Sequence, residues 1–221
     1  AEYLKMNVPF AGELLMGHLR YGTHGKNSKK NCHPFHRRNN WINRNLVVAG
    51  NFNLTNVDEL FAKLVSFGQY PNDRSDTITV LEKFGHFLDD EVLRLYDWFK
   101  PEHESGKEIS DLICDNLDIQ RLLRRATKEF DGGYAMAGMI GHGDAFLLRD
   151  PSGIRPAFYY YDDEVAVVAS ERPAIQTTFN IHIDKVNEIP RGHAFIIKKN
   201  SKVSIEPIID QRERSHCSFE R

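Results

Sequence analysis

The sequence has few cysteines, no long apolar run and almost no net charge, and each shortage excludes a class of protein. Its 221 residues include three cysteines, an odd and scattered set that does not form a disulfide framework. Such cysteine usage suits a reducing compartment, so we expect a cytoplasmic protein. No apolar stretch predicts a membrane-spanning helix, and no signal-peptide pattern opens the chain. We therefore expect no membrane partner.

The charge balance argues against a nucleic-acid partner. The 29 Lys and Arg residues against 31 Asp and Glu give a formal net charge of -2. The basic stretch between Lys26 and Arg44 has no stacking-aromatic pattern, so a solvated loop is favoured over a phosphate-binding patch. With 41% hydrophobic residues, the chain can bury the core of a single domain.

Hydrophobic periodicity predicts strands, then helices, then strands again. Apolar content predicts strands at Glu13–Arg20 and Asn45–Gly50, and the second runs into a turn at Asn51–Asn53. The stretch 21–44 between them has loop composition, and loops of that length are usually functional or mobile. Helical spacing predicts a helix opened by Thr55, a longer one after Ser75 and further helix over Glu108–Phe130. Short β-rich segments follow Gly133, with a short helix after Ser170 and a closing hairpin, so we expect an α+β fold.

Four separated stretches carry a resemblance to one family. They are GHLRYGT at 17–23, GNFNLTN at 50–56, FDGGY at 130–134 and RDPSGIRP at 149–156. In this order they resemble the glutaminase domain of the amidophosphoribosyltransferases, glutamine amidotransferases of class II with an N-terminal nucleophile. The resemblance covers nearly the whole chain, and RDPSGIRP favours this family over the related glutaminases of other pathways.

The resemblance implies a fold, a domain division and a reaction. The fold is a four-layer αββα sandwich of the N-terminal-nucleophile hydrolase type over residues 1–214, and residues 215–221 begin a phosphoribosyltransferase domain. The reaction hydrolyses glutamine and passes ammonia to phosphoribosyl pyrophosphate, which gives phosphoribosylamine in purine synthesis. The family nucleophile is an N-terminal cysteine, whereas Ala1 stands first here. We therefore expect the nucleophile and the first strands to be absent from this chain, and the chain alone to be inactive.

The resemblance also implies an oxyanion hole at Asn51 and Phe52. The side-chain amide of Asn51 matches one family donor, and the other is the backbone N–H of the next residue. That residue is glycine in the family and Phe52 here. A backbone donor survives the substitution, although a positive φ at this position would strain phenylalanine. The alternative is that Asn51 is a turn residue only.

Four further residues match substrate-binding positions of the family. Arg20 suits the α-carboxylate of glutamine, because its planar guanidinium binds a carboxylate bidentately. Asp131 suits the ammonium group, and Tyr21 and Thr23 belong to the loop that covers glutamine. For Asp131 the alternative is a turn-forming Asp-Gly pair.

Other chemistry-bearing residues are interpreted as structural. The span with His18, His24, Cys32, His33 and His36 lacks a second pair of ligands, so we expect no metal, and Cys32 beside His33 is not expected to form a nucleophile pair. Cys217 matches an iron–sulfur ligand of some family members but cannot hold a cluster alone. For Arg149, Asp150 and Arg155 we expect structural ion pairs or a domain contact and no catalytic role, since charged runs of this kind are usually solvated.

The partners follow from the resemblance. We expect glutamine, the phosphoribosyltransferase domain and the absent N-terminal segment as partners, with Mg²⁺ alongside phosphoribosyl pyrophosphate in the parent enzyme, and a homo-oligomer. The chain itself is expected to hold no cofactor. The alternative function is that of a degenerate, non-catalytic homologue that acts as a small-molecule-binding or structural module.

Overall fold

The computed structural model describes residue 3 and residues 7–19, 32–71 and 73–215. In chain order the strands are β1 Phe35–Arg37, β2 Leu46–Leu54, β3 Gly132–Ile140, β4 Ala145–Arg149, β5 Phe158–Tyr161, β6 Ala166–Ala169, β7 Asn187–Glu188, β8 His193–Ile197 and β9 Val203–Pro207. The α-helices are α1 Val57–Ser66, α2 Asp76–Phe99, α3 Gly106–Asn116, α4 Ile119–Ala126 and α5 Arg172–Phe179. Short 3₁₀ turns lie at Ile42–Arg44 and Ile183–Lys185. Among the described residues, no helix combines the length and apolar composition needed to cross a membrane.

The strands form two antiparallel sheets. The main sheet has six strands in the order β1-β2-β3-β4-β8-β9, and the small sheet has three in the order β6-β5-β7. Along β2 and β3 the register pairs Leu46 with Ile140 at one end and Leu54 with Gly132 at the other. This long pairing fixes which side chains of the two strands share a face.

Two apolar cores separate four layers. Alternate residues of the main sheet, such as Val48 and Met136, pack with Phe84 and Leu88 of α2 in the larger core. The opposite face, here called the inner face, packs through Ala135, Leu147 and Phe195 on the small sheet. Helix α5 contacts β5 and β6 from the far side, where Arg172 lies 4.8 Å over the ring of Phe158. The layer order is therefore helices, main sheet, small sheet and helix, and the expected αββα sandwich is confirmed.

Local signals set several helix starts. The hydroxyl of Ser75 accepts from the backbone N–H of Ile78 and caps α2, as the sequence predicts. Helix α2 is continuous through Gly85, whose missing side chain leaves room for Arg37: a Cβ there would lie 2.4 Å from Cδ of Arg37. Arg37 uses that space to pair with Glu82 and Asp89 across the helix.

Several predicted boundaries are wrong. Residues 13–19 form no strand, although their apolar residues suggested one, and Arg20 lies outside the described residues. The stretch predicted as loop over 21–44 contains β1 in its described part. The strand predicted to end at Gly50 continues to Leu54, because cross-strand pairing with β3 outweighs the turn preference of Asn51–Asn53. The helix expected over Glu108–Phe130 is two helices, α3 and α4.

Candidate active site

Asn51 and Phe52 lie in the second half of β2, on opposite faces of the main sheet. Asn51 pairs with Ala135, which belongs to the inner-face core, so its exposed side chain lies on the inner face. Phe52 packs on the helical side, against the larger core. Asn51 is therefore a strand residue, and its interpretation as a turn residue only is wrong.

The backbone N–H of Phe52 points away from β3. Thr55 N–H donates to the carbonyl of Asp131 (2.9 Å), which places the bonds between β2 and β3 at odd-numbered residues of β2. Even-numbered residues therefore direct their N–H groups to the other edge of β2, where β1 pairs only as far as Val48. Phe52 is not among the residues with positive φ, so phenylalanine fits this backbone without strain.

At the same edge, His33 holds the residue that precedes Asn51. The N–H of Gly50 donates to Nδ1 of His33 (3.1 Å), and Nε2 of His33 lies 3.3 Å from the hydroxyl of Thr77 on α2. Since Nδ1 is an acceptor, the ring proton belongs on Nε2, which donates to Thr77. The ring also stacks on His18, with 4.5 Å between centroids. His33 thus ties β2 to α2, a role that its residue type alone does not predict.

Asp131 stands directly before β3, and two glycines position it. Gly132 has φ +120°, and a Cβ there would lie 2.2 Å from the carbonyl oxygen of Asn53. A Cβ on Gly133 would lie 2.6 Å from Cγ2 of Ile154. The glycines let β3 approach β2 closely and admit Ile154 over the inner face. The Asp-Gly-Gly sequence is therefore required by close packing, and it leaves the carboxylate of Asp131 exposed.

Two side chains hold the carboxylate of Asp131 as an anion. The hydroxyl of Thr55 donates to Oδ2 (2.5 Å), and Nη1 of Arg212 donates to Oδ1 (3.1 Å). The Thr55 hydrogen bond and then the contact with Arg212 lower the pKa of Asp131 below its ordinary value. The sequence predicts that Thr55 opens α1. That prediction is wrong, because α1 begins after Asn56 without a side-chain cap.

Asn51 and Asp131 lie along the same pair of strands. Asp131 lies opposite Thr55, four residues along from Asn51, which corresponds to about 13 Å between the two positions. An extended glutamine spans about 6 Å from ammonium to amide oxygen by standard bond lengths. Two hydrogen bonds of about 2.9 Å each bring the total to about 12 Å. The spacing of the two backbone positions is therefore close to the length that an extended glutamine would cover.

The RDPSGIRP stretch forms a wall beside this face. Oδ1 of Asp150 accepts from the N–H groups of Ser152 (3.0 Å) and Ile154 (2.9 Å), while Oδ2 accepts from those of Arg155 (2.9 Å) and Tyr134 (3.4 Å). This loop geometry places Ile154 against β3.

The charged residues of that loop have a structural role. Arg149 donates to the carbonyls of Gly153, Arg155 and Ile189 and pairs with Glu188 at 2.7 Å. The expected ion pairing is confirmed. The expectation of a solvated run is wrong, because Arg149 is only 4% exposed and Asp150 is fully buried. Burial is possible because backbone groups satisfy both charges.

The remaining expected site residues lie outside the part of the chain that the structure describes, whereas two of the cysteines lie within it. Arg20, Tyr21 and Thr23 lie outside the described residues, as does Cys217. Cys114 is buried in α3, and burial raises the pKa of its thiol, whereas Cys32 is exposed. Within the described ranges, no group of three His, Cys, Asp or Glu side chains is arranged to hold a metal ion.

Comparison with known proteins finds relatives of one kind. The family model for class-II glutamine amidotransferases matches residues 1–77, which include Asn51 and Thr55. The amidophosphoribosyltransferase of Escherichia coli K12 is 29% identical over 216 residues, 95% of this chain and 38% of the relative. That of Archaeoglobus fulgidus is 26% identical over 211 residues, 95% of this chain and 39% of the relative. The first third of the chain is therefore similar to class-II glutamine amidotransferases, and nearly the whole chain is similar to amidophosphoribosyltransferases.

Solved structures agree on the fold. The glutamine phosphoribosylpyrophosphate amidotransferase of B. subtilis, solved with ADP and GMP, superposes with a TM-score of 0.59 at 23% identity, over 92% of this chain and 36% of that one. A structure titled as the allosteric regulatory enzyme of purine biosynthesis gives 0.62 at 24% identity, over 92% and 37%. At such identities the likeness supports the fold alone. The chain thus spans well under half the length of the relatives that it matches.

Proposed function

We propose that this chain is the glutamine-hydrolysing domain of an amidophosphoribosyltransferase. The observation that carries the proposal is the placement of Asn51 and Asp131 along the β2–β3 pair, at a spacing close to the length of an extended glutamine. Asp131 binds the ammonium, and Asn51 with the N–H of Phe52 stabilises the oxyanion that forms when a thiol attacks the side-chain amide. Arg20 binds the α-carboxylate, and Tyr21 and Thr23 cover the ligand.

The attacking thiol is assigned to neither described cysteine. Cys114 is buried with a raised pKa, which disfavours the reactive thiolate. Cys32 has His33 beside it, but Nδ1 of that ring accepts from Gly50 and Nε2 faces Thr77. A ring engaged at both nitrogens is poorly suited to take a proton from Cys32. We assign the reaction to the N-terminal cysteine that the family resemblance implies, with its own α-amine as the base.

The proposal extends to the protein that carries this domain. Ammonia released at Asn51 passes to a phosphoribosyltransferase domain, where phosphoribosyl pyrophosphate with Mg²⁺ accepts it to give phosphoribosylamine. Residues 215–221 begin that domain, and the protein acts as a cytoplasmic homo-oligomer in purine synthesis. The relatives support this proposal, since the ones compared are amidophosphoribosyltransferases over 95% of this chain.

The test is a kinetic comparison in the complete protein. Asn51→Ala should lower glutamine turnover by about 10²–10³, as loss of one oxyanion donor does elsewhere. The KM for glutamine should change little, because the donor acts mainly on the transition state. Phosphoribosylamine formation from free ammonia should be retained, because that reaction bypasses the glutaminase site.

A matched control separates the site from general damage. Asn116 is exposed on α3, where its side chain bonds only the carbonyl of Leu112 in its own helix. Asn116→Ala should leave both activities unchanged. Unchanged glutamine turnover in Asn51→Ala would remove the oxyanion assignment, and a complete protein that binds glutamine without releasing glutamate would support the non-catalytic module instead.

A further inference from the structure

Asp131 has a cationic neighbour that the proposed function does not use. Nη1 of Arg212 lies 3.1 Å from Oδ1 of Asp131, and the two side chains are 55% and 54% exposed. Arg212 is 81 residues away along the chain, on the segment that follows β9. The contact therefore brings a fixed cation and a fixed anion together at the exposed end of the β2–β3 pair.

The backbone around Arg212 is anchored, so the position of its guanidinium is built into the fold. The N–H of Arg212 donates to the carbonyl of Pro151 (2.9 Å), and its own carbonyl accepts from Nη1 of Arg191 (2.8 Å). Further along, the N–H of Ser215 donates to the carbonyl of Ser152 (2.9 Å). The segment is thus tied to the RDPSGIRP loop on the β4 side of Asp131, while Thr55 holds the carboxylate from the β2 side.

The pair has hydrogen-bonding capacity for a ligand. A guanidinium carries five N–H donors, and the contact with Asp131 uses Nη1, so the fork can also bind a second carboxylate. Each carboxylate oxygen of Asp131 has two lone pairs, and Thr55 and Arg212 approach different oxygens. An ammonium can therefore bind Asp131 without removing either partner.

An amino-acid zwitterion is complementary to such a pair. Its ammonium and carboxylate are attached to one carbon, so the two charges lie side by side, about 3–4 Å apart by standard bond lengths. Placed against Asp131 and Arg212, they form a square in which every charge is adjacent to two charges of opposite sign. A ligand that lacks the carboxylate makes only half of these contacts.

We propose that Arg212 is a specificity-determining residue that binds the α-carboxylate of glutamine beside Asp131. This inference rests on the proposed function and deepens it, since it adds a second cation to the one expected from Arg20. The chain then recognises the free amino-acid end of its substrate from both sides, and it discriminates against glutamine derivatives with a blocked carboxylate.

The test is calorimetric titration of this chain with L-glutamine and with L-glutaminamide, in which a neutral amide replaces the α-carboxylate. Wild type should bind glutamine more tightly than glutaminamide. Arg212→Gln should weaken glutamine binding by about tenfold, the range of a charge-assisted hydrogen bond, and change glutaminamide binding little. The preference for glutamine should therefore shrink. Arg212→Lys, which keeps the charge but not the fork, should give an intermediate preference.

The control and the contrary outcomes are distinct. Arg214 lies on the same segment and is exposed, so Arg214→Gln should bind both ligands as wild type does. If Arg212→Gln binds glutamine as wild type does, the pair is only a surface ion pair. If the Arg212→Gln variant binds glutamine more tightly than wild type, Arg212 competes with the ligand for Asp131. Either of these two results overturns the inference about Arg212 and leaves the proposed function standing. A wild-type chain that does not bind glutamine overturns both.

Discussion

Asp150→Asn removes one acceptor oxygen from the centre of the RDPSGIRP loop while keeping the shape of the side chain. Asp150 is fully buried, and its two oxygens accept from four backbone N–H groups. If the asparagine oxygen takes the place of Oδ1, the bonds from Ser152 and Ile154 persist. Its NH2 group then faces the N–H groups of Arg155 and Tyr134. Because all of these groups are donors, the two hydrogen bonds are lost.

The expected cost follows from the two lost bonds. A hydrogen bond to a charged group contributes about 1.5–3 kcal/mol, so losing two should reduce the free energy of unfolding by about 3–6 kcal/mol. That is a large share of the roughly 5–15 kcal/mol that stabilises a typical domain. The loss should also shift Ile154, which lies against Gly133 on the inner face.

Urea titration followed by circular dichroism at neutral pH measures this effect. The control is Asp162→Asn, since Asp162 also accepts from two backbone N–H groups, those of Glu164 and Val165, but in an exposed turn. The control should unfold near the wild-type midpoint. A loss below about 1 kcal/mol in Asp150→Asn would refute the reasoning, because it would mean that the loop does not depend on these bonds.

Two further predictions concern Asp131. In the complete protein, Thr55→Val should raise the KM for glutamine several-fold with little change in kcat, and Thr55→Ser should restore it; a change in kcat alone would contradict a positioning role. Because Thr55 and then Arg212 lower the pKa of Asp131 below its ordinary value, its carboxylate stays ionised as the pH falls through the weakly acidic range. Glutamine affinity in calorimetry should therefore hold between about pH 8 and pH 5 and be lost only as the pH falls through that lowered pKa; a loss between pH 7 and pH 5 would count against the assignment.

Local signals predicted much of the fold, and pairing over long distances explains most of the errors. Serine is a preferred residue at helix N-caps, so Ser75 predicts the start of α2, and its hydroxyl does cap that helix. The extent of β2 was not, because Asn51–Asn53 have turn preferences and only the partner strand 80 residues later holds them extended. The apolar residues of 13–19 suggested a strand, but periodicity does not reveal whether a hydrogen-bonding partner exists.

The site was predictable to the same extent. The motifs predict that Asn51 and Asp131 belong to one site, and the structure places both residues along the β2–β3 pair. Thr55 lay within a motif but was interpreted by its spacing to Asp58 as a helix start, whereas its hydroxyl bonds Asp131. Arg212 carried no local signal, since an exposed arginine after a hairpin is common and only the tertiary fold brings it to Asp131.

The most direct test of glutamine recognition is a crystal structure of this chain grown with saturating L-glutamine. The account predicts the ligand on the inner face of the main sheet, its ammonium within hydrogen-bonding distance of Asp131 and its side-chain amide oxygen directed at Asn51. Glutamine bound elsewhere, or bound here with its ammonium away from Asp131, would contradict the account.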